Sequence, residues 1–297
     1  MKSSLRAVTP AGYVIHAGFI LLSILFVIPF LLVIAISITE EQTLTLNGYH
    51  LIPQQLDFTA YEVILRAPQQ LLRAYGVTIF VTVVGTIGGL LLTSMSAYVL
   101  SRQDFRYRRP ITFYIFFTML FNGGLVPLYI LVSQYLHLKN TIWVLILPYL
   151  LNPFYILLMK GFLEKIPAEI IESAKIDGAR EIRTFATIIL PLSKPALATI
   201  GLFISFTYWN DWYLGLLFID NPNLVSLQLL LYRVMNSIEF LNNNAARLGM
   251  LRINLSKYPT LSARMAIAIL AAGPMLVVFP FFQKYFVRGL TVGSLKG

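Results

Sequence analysis

The chain has 297 residues, of which 57% are hydrophobic and only 12% charged, with a mean hydropathy of +0.73. A soluble domain of this length carries about twice that charge, so water is not its principal solvent. The net charge of +10 comes without an aromatic-interleaved basic patch, which gives little reason to propose nucleic acid as a partner. The absence of cysteine excludes disulfides, thiolate metal sites and a cysteine nucleophile.

A membrane helix needs ~20 mostly apolar residues, and six segments qualify: Gly12 to Ile38, Tyr75 to Leu100, Ile111 to Tyr135, Thr141 to Met159, Pro195 to Leu217 and Met265 to Phe286. The runs are continuous, whereas barrel strands would alternate over ~10 residues. The first run is too long for a signal peptide and has no convincing small-residue cleavage site after it.

In chain order, the first span is followed by an outer loop, Thr39 to Ala74, whose "LDFTAYEVILR" predicts a short surface helix. The second span carries small residues at Gly85, Gly88 and Gly89. The third contains "LFNGGLVPLYILV", where Asn122, Gly123 and Gly124 interrupt the run one turn before Pro127. Irregular backbone at membrane depth lines protein or a water-filled cavity, so this reads either as part of a substrate pathway or as a packing kink. After the fourth span comes the inner loop Lys160 to Lys194. The fifth span carries "YWNDW", which puts Trp209, Asn210, Asp211 and Trp212 toward the outer leaflet, ~24 Å along the axis from Pro195. These residues suit sugar stacking and hydroxyl bonding, or equally an interfacial belt with Asp211 reaching water. The outer loop Phe218 to Arg264 holds the amphipathic "SLQLLLYRVMNSIEFL" and the polar run Asn242, Asn243, Asn244.

Fifteen of the 23 basic residues fall on one side of this arrangement: Lys2, Arg6, the cluster from Arg102 to Arg109, the loop from Lys160 to Lys194, and Lys284, Arg288 and Lys296. That asymmetry places both termini in the cytoplasm. The whole chain, 1–297, reads as one all-α membrane domain without an internal repeat.

The inner loop is the polar exception. Pro167 suits the start of a helix, and Ile170, Ile171, Ala174 and Ile176 mark an apolar face against Glu169, Glu172, Ser173 and Lys175. Gly178 stops that helix. A second run, Arg180 to Leu190, is expected to turn Ile182, Phe185, Ile188 and Ile189 inward, after which Pro191 and Pro195 break the helix and re-aim the chain. By itself this is an amphipathic helix-turn-helix lying along the membrane face.

Its residues also carry a resemblance. Glu172-Ser173-Ala174, then Gly178, then Ile188-Ile189-Leu190-Pro191 nine residues on, resembles the EAA motif of the permease subunits of bacterial ABC importers. Ser173 stands where the family usually has alanine, and Asp177 and Ala179 fit the longer carbohydrate-importer form. With "LFNGGLVPLYILV", "YWNDW", "SLQLLL" and "FPFFQKYFVRGLTVGSLKG", the chain resembles the second permease of the carbohydrate-uptake type 1 subfamily, related to the smaller maltose-importer permease and, within it, to the alginate and oligosaccharide branch.

The resemblance implies a type I ABC importer permease fold with six transmembrane helices in the bacterial inner membrane. It implies a second, different permease, a dimer of ATPase subunits, an external sugar-binding protein and an oligosaccharide cargo as partners. It further implies that Glu172, Ser173, Ala174, Asp177, Gly178, Ala179, Leu190 and Pro191 form a coupling element seated on an ATPase, with the 293–297 tail near it. ATP and Mg belong to the partner ATPase. This chain has no G-x-x-x-x-G-K-[ST] loop and no cofactor or catalytic set of its own, and His16, His50 and His137 are far apart. In the last outer loop Arg233, Arg247, Arg252 and Lys257 outnumber Asp220 and Glu239, a balance that suits a polyanionic sugar or pairing within the fold.

Two rival readings need features the sequence lacks. A secondary transporter wants ionisable residues at the midplane, and only Asp211 comes near. A membrane-embedded transferase wants converging acids, bases or metal ligands.

Overall fold

The computed structural model describes residues 10–66, 68–243 and 259–291. Lys2, Arg6, Asn244, Arg247, Arg252, Lys257 and the 293–297 tail, all singled out above, lie outside the described residues. Within them the structure is helical, apart from an isolated antiparallel bridge between Thr39 and Leu56.

The helices are α1 (Pro10–Ser37), α2 (Glu41–Asn47), α3 (Thr59–Ile64), α4 (Pro68–Ser101), α5 (Arg108–Leu120), α6 (Leu125–Ile130), α7 (Pro153–Leu163), α8 (Ala168–Ile176), α9 (Glu181–Thr184), α10 (Leu190–Leu192), α11 (Lys194–Trp209), α12 (Tyr213–Phe218), α13 (Leu227–Asn243) and α14 (Leu261–Thr291). A π turn over Leu131–Tyr135 prolongs α6, and another over Phe185–Ile189 joins α9 to α10.

Three helices are long and apolar enough to cross a membrane unaided: Gly12–Ser37, Pro68–Ser101 and Leu261–Pro280. The other three expected spans are bent pairs and not straight rods. Arg108–Leu120 meets Leu125–Tyr135 at 110°, Ile142–Tyr149 meets Pro153–Leu163 at 48°, and Glu181–Leu192 meets Lys194–Trp209 at 84°. Local chemistry accounts for the first two breaks. Gly124 adopts a left-handed φ of 89°, open to glycine at no Cβ cost, and its N–H donates to the Asn122 side chain at 2.9 Å. Ile142–Leu145 and Leu147–Tyr149 are 3-10 turns, and Asn152 caps Pro153–Leu163 by accepting from the Phe154 N–H at 2.9 Å. The fifth span, expected to run on to Leu217, stops at Trp209 and restarts as α12.

Backbone contacts divide the chain into two compact units, one of residues 1–68 and 233–273 and one of residues 69–232 and 274–297. In the first, α1 leaves its apolar side chains open, with Phe19 65% and Phe26 70% exposed, while Ala35 and Ile36 in its last turn are buried. The segment after it folds back through the Thr39–Leu56 bridge, and the Ser37 hydroxyl meets the Tyr61 hydroxyl at 3.0 Å. Glu41 caps α14. One carboxylate oxygen accepts from the Thr260 hydroxyl at 2.6 Å and the Leu261 N–H at 2.8 Å, and the other from the Ser262 N–H at 3.1 Å and hydroxyl at 2.8 Å. A carboxylate here satisfies N–H groups that have no partner inside the helix and sits at the positive end of its dipole. Burial alone would raise its pKa; the four hydrogen bonds outweigh that and hold it below the ordinary value.

In the second unit α4, about 51 Å long at 1.5 Å per residue, is the packing surface. A methyl at Gly85 would sit 2.4 Å from the ring of Tyr208 on α11, and one at Gly89 would sit 3.1 Å from the Leu150 carbonyl oxygen. The glycines read from the sequence are therefore where α11 and the bent fourth span press closest on α4. The seated Tyr208 donates its hydroxyl to the Ile146 carbonyl at 2.8 Å, and the Thr78 hydroxyl accepts the Leu227 N–H at 2.8 Å where α13 begins.

We expect Glu41→Ala to lower stability by about 2 kcal/mol, read as urea unfolding of the chain in detergent. The lowered folded pKa means that Glu41's contribution is complete above the unfolded value and is lost as pH falls through the folded one. The wild-type advantage over the variant should therefore be constant above the ordinary glutamate pKa of about 4.3 and shrink progressively as pH falls below it.

Candidate functional site

The polar loop folds as two short helical pieces around one glycine. α8 ends with Asp177 as its cap, and Gly178 takes a left-handed φ of 74°. The Gly178 N–H then reaches the Lys175 carbonyl at 3.0 Å, and the Ala179 N–H the Ala174 carbonyl at 2.9 Å. These two bonds make a Schellman stop, which explains the need for a residue without Cβ at that position. Ala174 is buried, while Glu172, Ser173, Asp177 and Gly178 are exposed, and Ile176 is 86% exposed. α8 thus packs through its alanine and offers a mixed carboxylate and apolar surface outward.

The second piece departs from the expected inward face. Phe185 and Ile189 are buried, Ile188 is half-buried, but Ile182 is 81% exposed. Ile182 lies in α9, ahead of the π turn that begins at Phe185; within that turn the Leu190 N–H bonds the Phe185 carbonyl, so the positions after it no longer follow a 3.6-residue period. The same widened turn accommodates Pro191, which sits within α10 and does not end it. The chain then bends by 84° at the fully buried Ser193, between Pro191 and Pro195, with Pro195 in the first turn of α11, as the two prolines predict.

A cluster of four charges fixes α8 to the end of α4. Arg102 contacts Asp104 at 2.6 Å and Glu181 at 3.5 Å, and Lys175 contacts Asp104 at 2.9 Å and Glu181 at 3.5 Å. The Tyr98 hydroxyl donates to Glu181 at 2.7 Å, and its ring lies 5.4 Å from that of Phe185. The Arg102 guanidinium and then the Lys175 ammonium hold the Asp104 carboxyl well below the usual carboxylate range. Sequence reasoning missed this cluster, because Arg102 was counted only toward topology and Asp104 was passed over. A lone acid within a basic run, facing a lysine on the polar loop, was the available signal. Glu172 is exposed and makes no ion pair among the described residues, and it is one of the residues bordering a cleft of about 290 Å³ with Arg102, Arg108 and Lys175.

The second group of candidate residues lies on two different breaks. Asn122, Gly123 and Gly124 are exposed on the turn between α5 and α6. Trp209, Asn210, Asp211 and Trp212 form the turn between α11 and α12. There Trp209 is 4% exposed, Trp212 stacks on Tyr232 with centroids 4.5 Å apart, and the Asn210 amide donates to the Phe206 carbonyl at 3.0 Å. Asp211 accepts from the Tyr149 hydroxyl at 3.1 Å and the Leu214 N–H at 3.3 Å, which makes it the cap of α12. Nearby, Lys139 pairs with Asp220 at 3.0 Å, so one acid of the outer loop is paired within the fold.

Residues 10–292 match the family described as "Binding-protein-dependent transport system inner membrane component". The chain is 37% identical over 281 residues to the polygalacturonan/rhamnogalacturonan transport system permease protein YtcP of Bacillus subtilis, covering 94% of this chain and 96% of that one. It is 28% identical to the trehalose/maltose transport system permease protein MalG of Thermococcus litoralis, covering 94% and 95%. A chain from the crystal structure of a bacterial ABC transporter involved in the import of the acidic polysaccharide alginate superposes with a TM-score of 0.77 at 28% identity, over 95% of this chain and 99% of that one.

Asp104→Asn removes the carboxylate that holds both cations. We expect amide exchange across residues 168–184 to quicken by up to about fivefold, the weight of a partly exposed pair, with the wild-type difference steady from pH 5 to 8. Because its folded pKa is lowered, Asp104 contributes above the ordinary carboxylate value and loses that contribution only as pH falls through the lowered one.

Proposed function

The chain belongs to the family of binding-protein-dependent transport system inner membrane components, and from that premise we propose that it is the ABC importer permease through which an acidic oligosaccharide, an oligouronate, enters the cell. Polygalacturonan and alginate, named for two of its relatives, are both polyuronates. The chain forms half of the path with a second, different permease in the bacterial inner membrane, both termini facing the cytoplasm. An external binding protein delivers the sugar, and a partner ATPase dimer supplies ATP and Mg chemistry, which this chain does not perform.

The observation that carries the mechanical part is the locked geometry of α8. Its Schellman stop makes the helix and Gly178 one rigid piece, and its exposed face presents Glu172, Ser173 and Ile176 to a docking partner. Glu172 is placed to take a basic group of the ATPase. Displacement of α8 passes by two routes. The Arg102–Asp104–Lys175–Glu181 cluster carries it to α4, while Leu190 and Pro191 carry it through the Ser193 bend to α11. Asn122, Gly123, Gly124 and the exposed Asn210 are the groups on the two breaks best placed to meet sugar hydroxyls; Trp209, Asp211 and Trp212 hold the outer turn in shape beside them.

In proteoliposomes holding the assembled importer, Glu172→Lys should cut sugar-stimulated ATP hydrolysis at least tenfold, roughly the weight of one charged contact across an interface, with insertion unchanged. Gly178→Pro should do the same, since proline cannot take a φ of 74°. Undiminished hydrolysis in both would remove α8 from the coupling path. For the cargo, replacing Arg233, Arg247, Arg252 and Lys257 by glutamine should slow uptake of a galacturonate oligomer about tenfold more than that of a neutral malto-oligosaccharide; equal slowing would assign these cations to the fold.

A further inference from the structure

The second unit holds a pocket of about 480 Å³ between α5 and α7, which shares Arg108 with the cleft beside α8. On α5 its lining residues are Arg108, Arg109, Thr112, Phe113 and Phe116, of which the last four are spaced as one stripe along the helix. On α7 they are Leu157 and Lys160, again one turn apart. Charge and apolar surface are therefore graded along the pocket. The cations sit at the end where α5 begins, and over about 10 Å of helix axis the lining turns to phenylalanine and leucine.

The charges do not cancel. Arg108 and Lys160 both bond the same carboxylate, Glu164, with Lys160 at 2.9 Å. Arg109 is exposed and makes no ion pair among the described residues. One acid among three cations leaves an excess of two positive charges at the mouth. Below it the wall continues through Thr112, whose hydroxyl is itself shut off from solvent. Phe113 and Phe116 are 67% and 45% exposed, and no residue of α5 is buried.

We propose that this pocket binds an anionic phospholipid, its phosphate on Arg109 and Arg108 and an acyl chain along Phe113, Phe116 and Leu157. The gradient matches such a molecule, which carries negative charge at one end and hydrocarbon at the other, and basic pockets between helices at a membrane's cytoplasmic face are suited to it. Free phosphate would leave the apolar wall unused. An oligouronate would be charged along its whole length, where the wall is apolar. The proposal rests on the chain spanning a membrane and on nothing about its cargo or its ATPase.

The test is native mass spectrometry of the full chain in detergent micelles, titrated with phosphatidylglycerol and with phosphatidylcholine of the same acyl chains. One phosphatidylglycerol per chain should be retained in preference to phosphatidylcholine. Arg109→Gln should weaken that retention about fivefold, the effect of roughly one interfacial cation, and Arg109→Lys should keep it. Equal retention of both lipids, or no loss in Arg109→Gln, overturns the proposal. Displacement of the lipid by inorganic phosphate would reassign the pocket to a small anion, and displacement by trigalacturonate would reassign it to the cargo path. Because the readout is lipid mass and not transport, failure here leaves the importer assignment standing, and failure of the cargo or coupling tests leaves this one intact.

Discussion

A peptide group released inside an apolar medium must be bonded by protein, because no water is there to take it, and each break in this chain is built around that demand. The three bent spans free carbonyls and N–H groups, and side chains recover several of them. Tyr208 bonds the Ile146 carbonyl across the fourth span's 3-10 segment, Asn122 takes the Gly124 N–H, and Asp211 caps α12. These polar residues, unusual in so apolar a chain, occupy the places where the helices stop. The constraint also orders the packing, since Tyr208 can reach Ile146 only because Gly85 leaves room for its ring on α4.

The same economy appears at the polar loop. Four charged residues from three separated stretches meet so that each cation touches both acids. Individually such exposed pairs contribute little; as a closed set they fix direction. Lys175 contacts Asp104 and Glu181 together, which ties α8 to the end of α4 by more than one pair. The π turn beside them allows the opposite behaviour, a widened helix that accommodates Pro191 and passes into the bend at Ser193.

What could be read from the sequence was local. Gly178 and its neighbours predict their own turn, because a Schellman stop involves residues within one helical turn of each other. The glycines of α4 stood out as small residues in the sequence, but the groups that press on them, Tyr208 at Gly85 and Leu150 at Gly88 and Gly89, did not. Pairings across long separations left no trace: Asp104 and Lys175 are 71 residues apart, and Glu41 and Leu261 are 220 apart. The inward face assigned to Ile182 was not met, since that residue is 81% exposed, whereas the two prolines did mark the break, which falls at Ser193 between them. Trp209 and Trp212 had been weighed as sugar-stacking or belt residues; the first is buried and the second stacks on Tyr232, a partner 20 residues on that periodicity does not reveal.

The Glu41 cap has a bearing on biosynthesis. Its donors, Thr260, Leu261 and Ser262, are translated after some 219 further residues, which at about 5–20 residues per second takes roughly ten to forty seconds. Throughout that interval the nascent chain carries an acid with its intended partners still unmade. The segment around Glu41 is thus completed only when the last helix arrives, and a ribosome that stalls or a chain cut short before Thr260 leaves a recognisable mark of incompleteness on the already inserted protein.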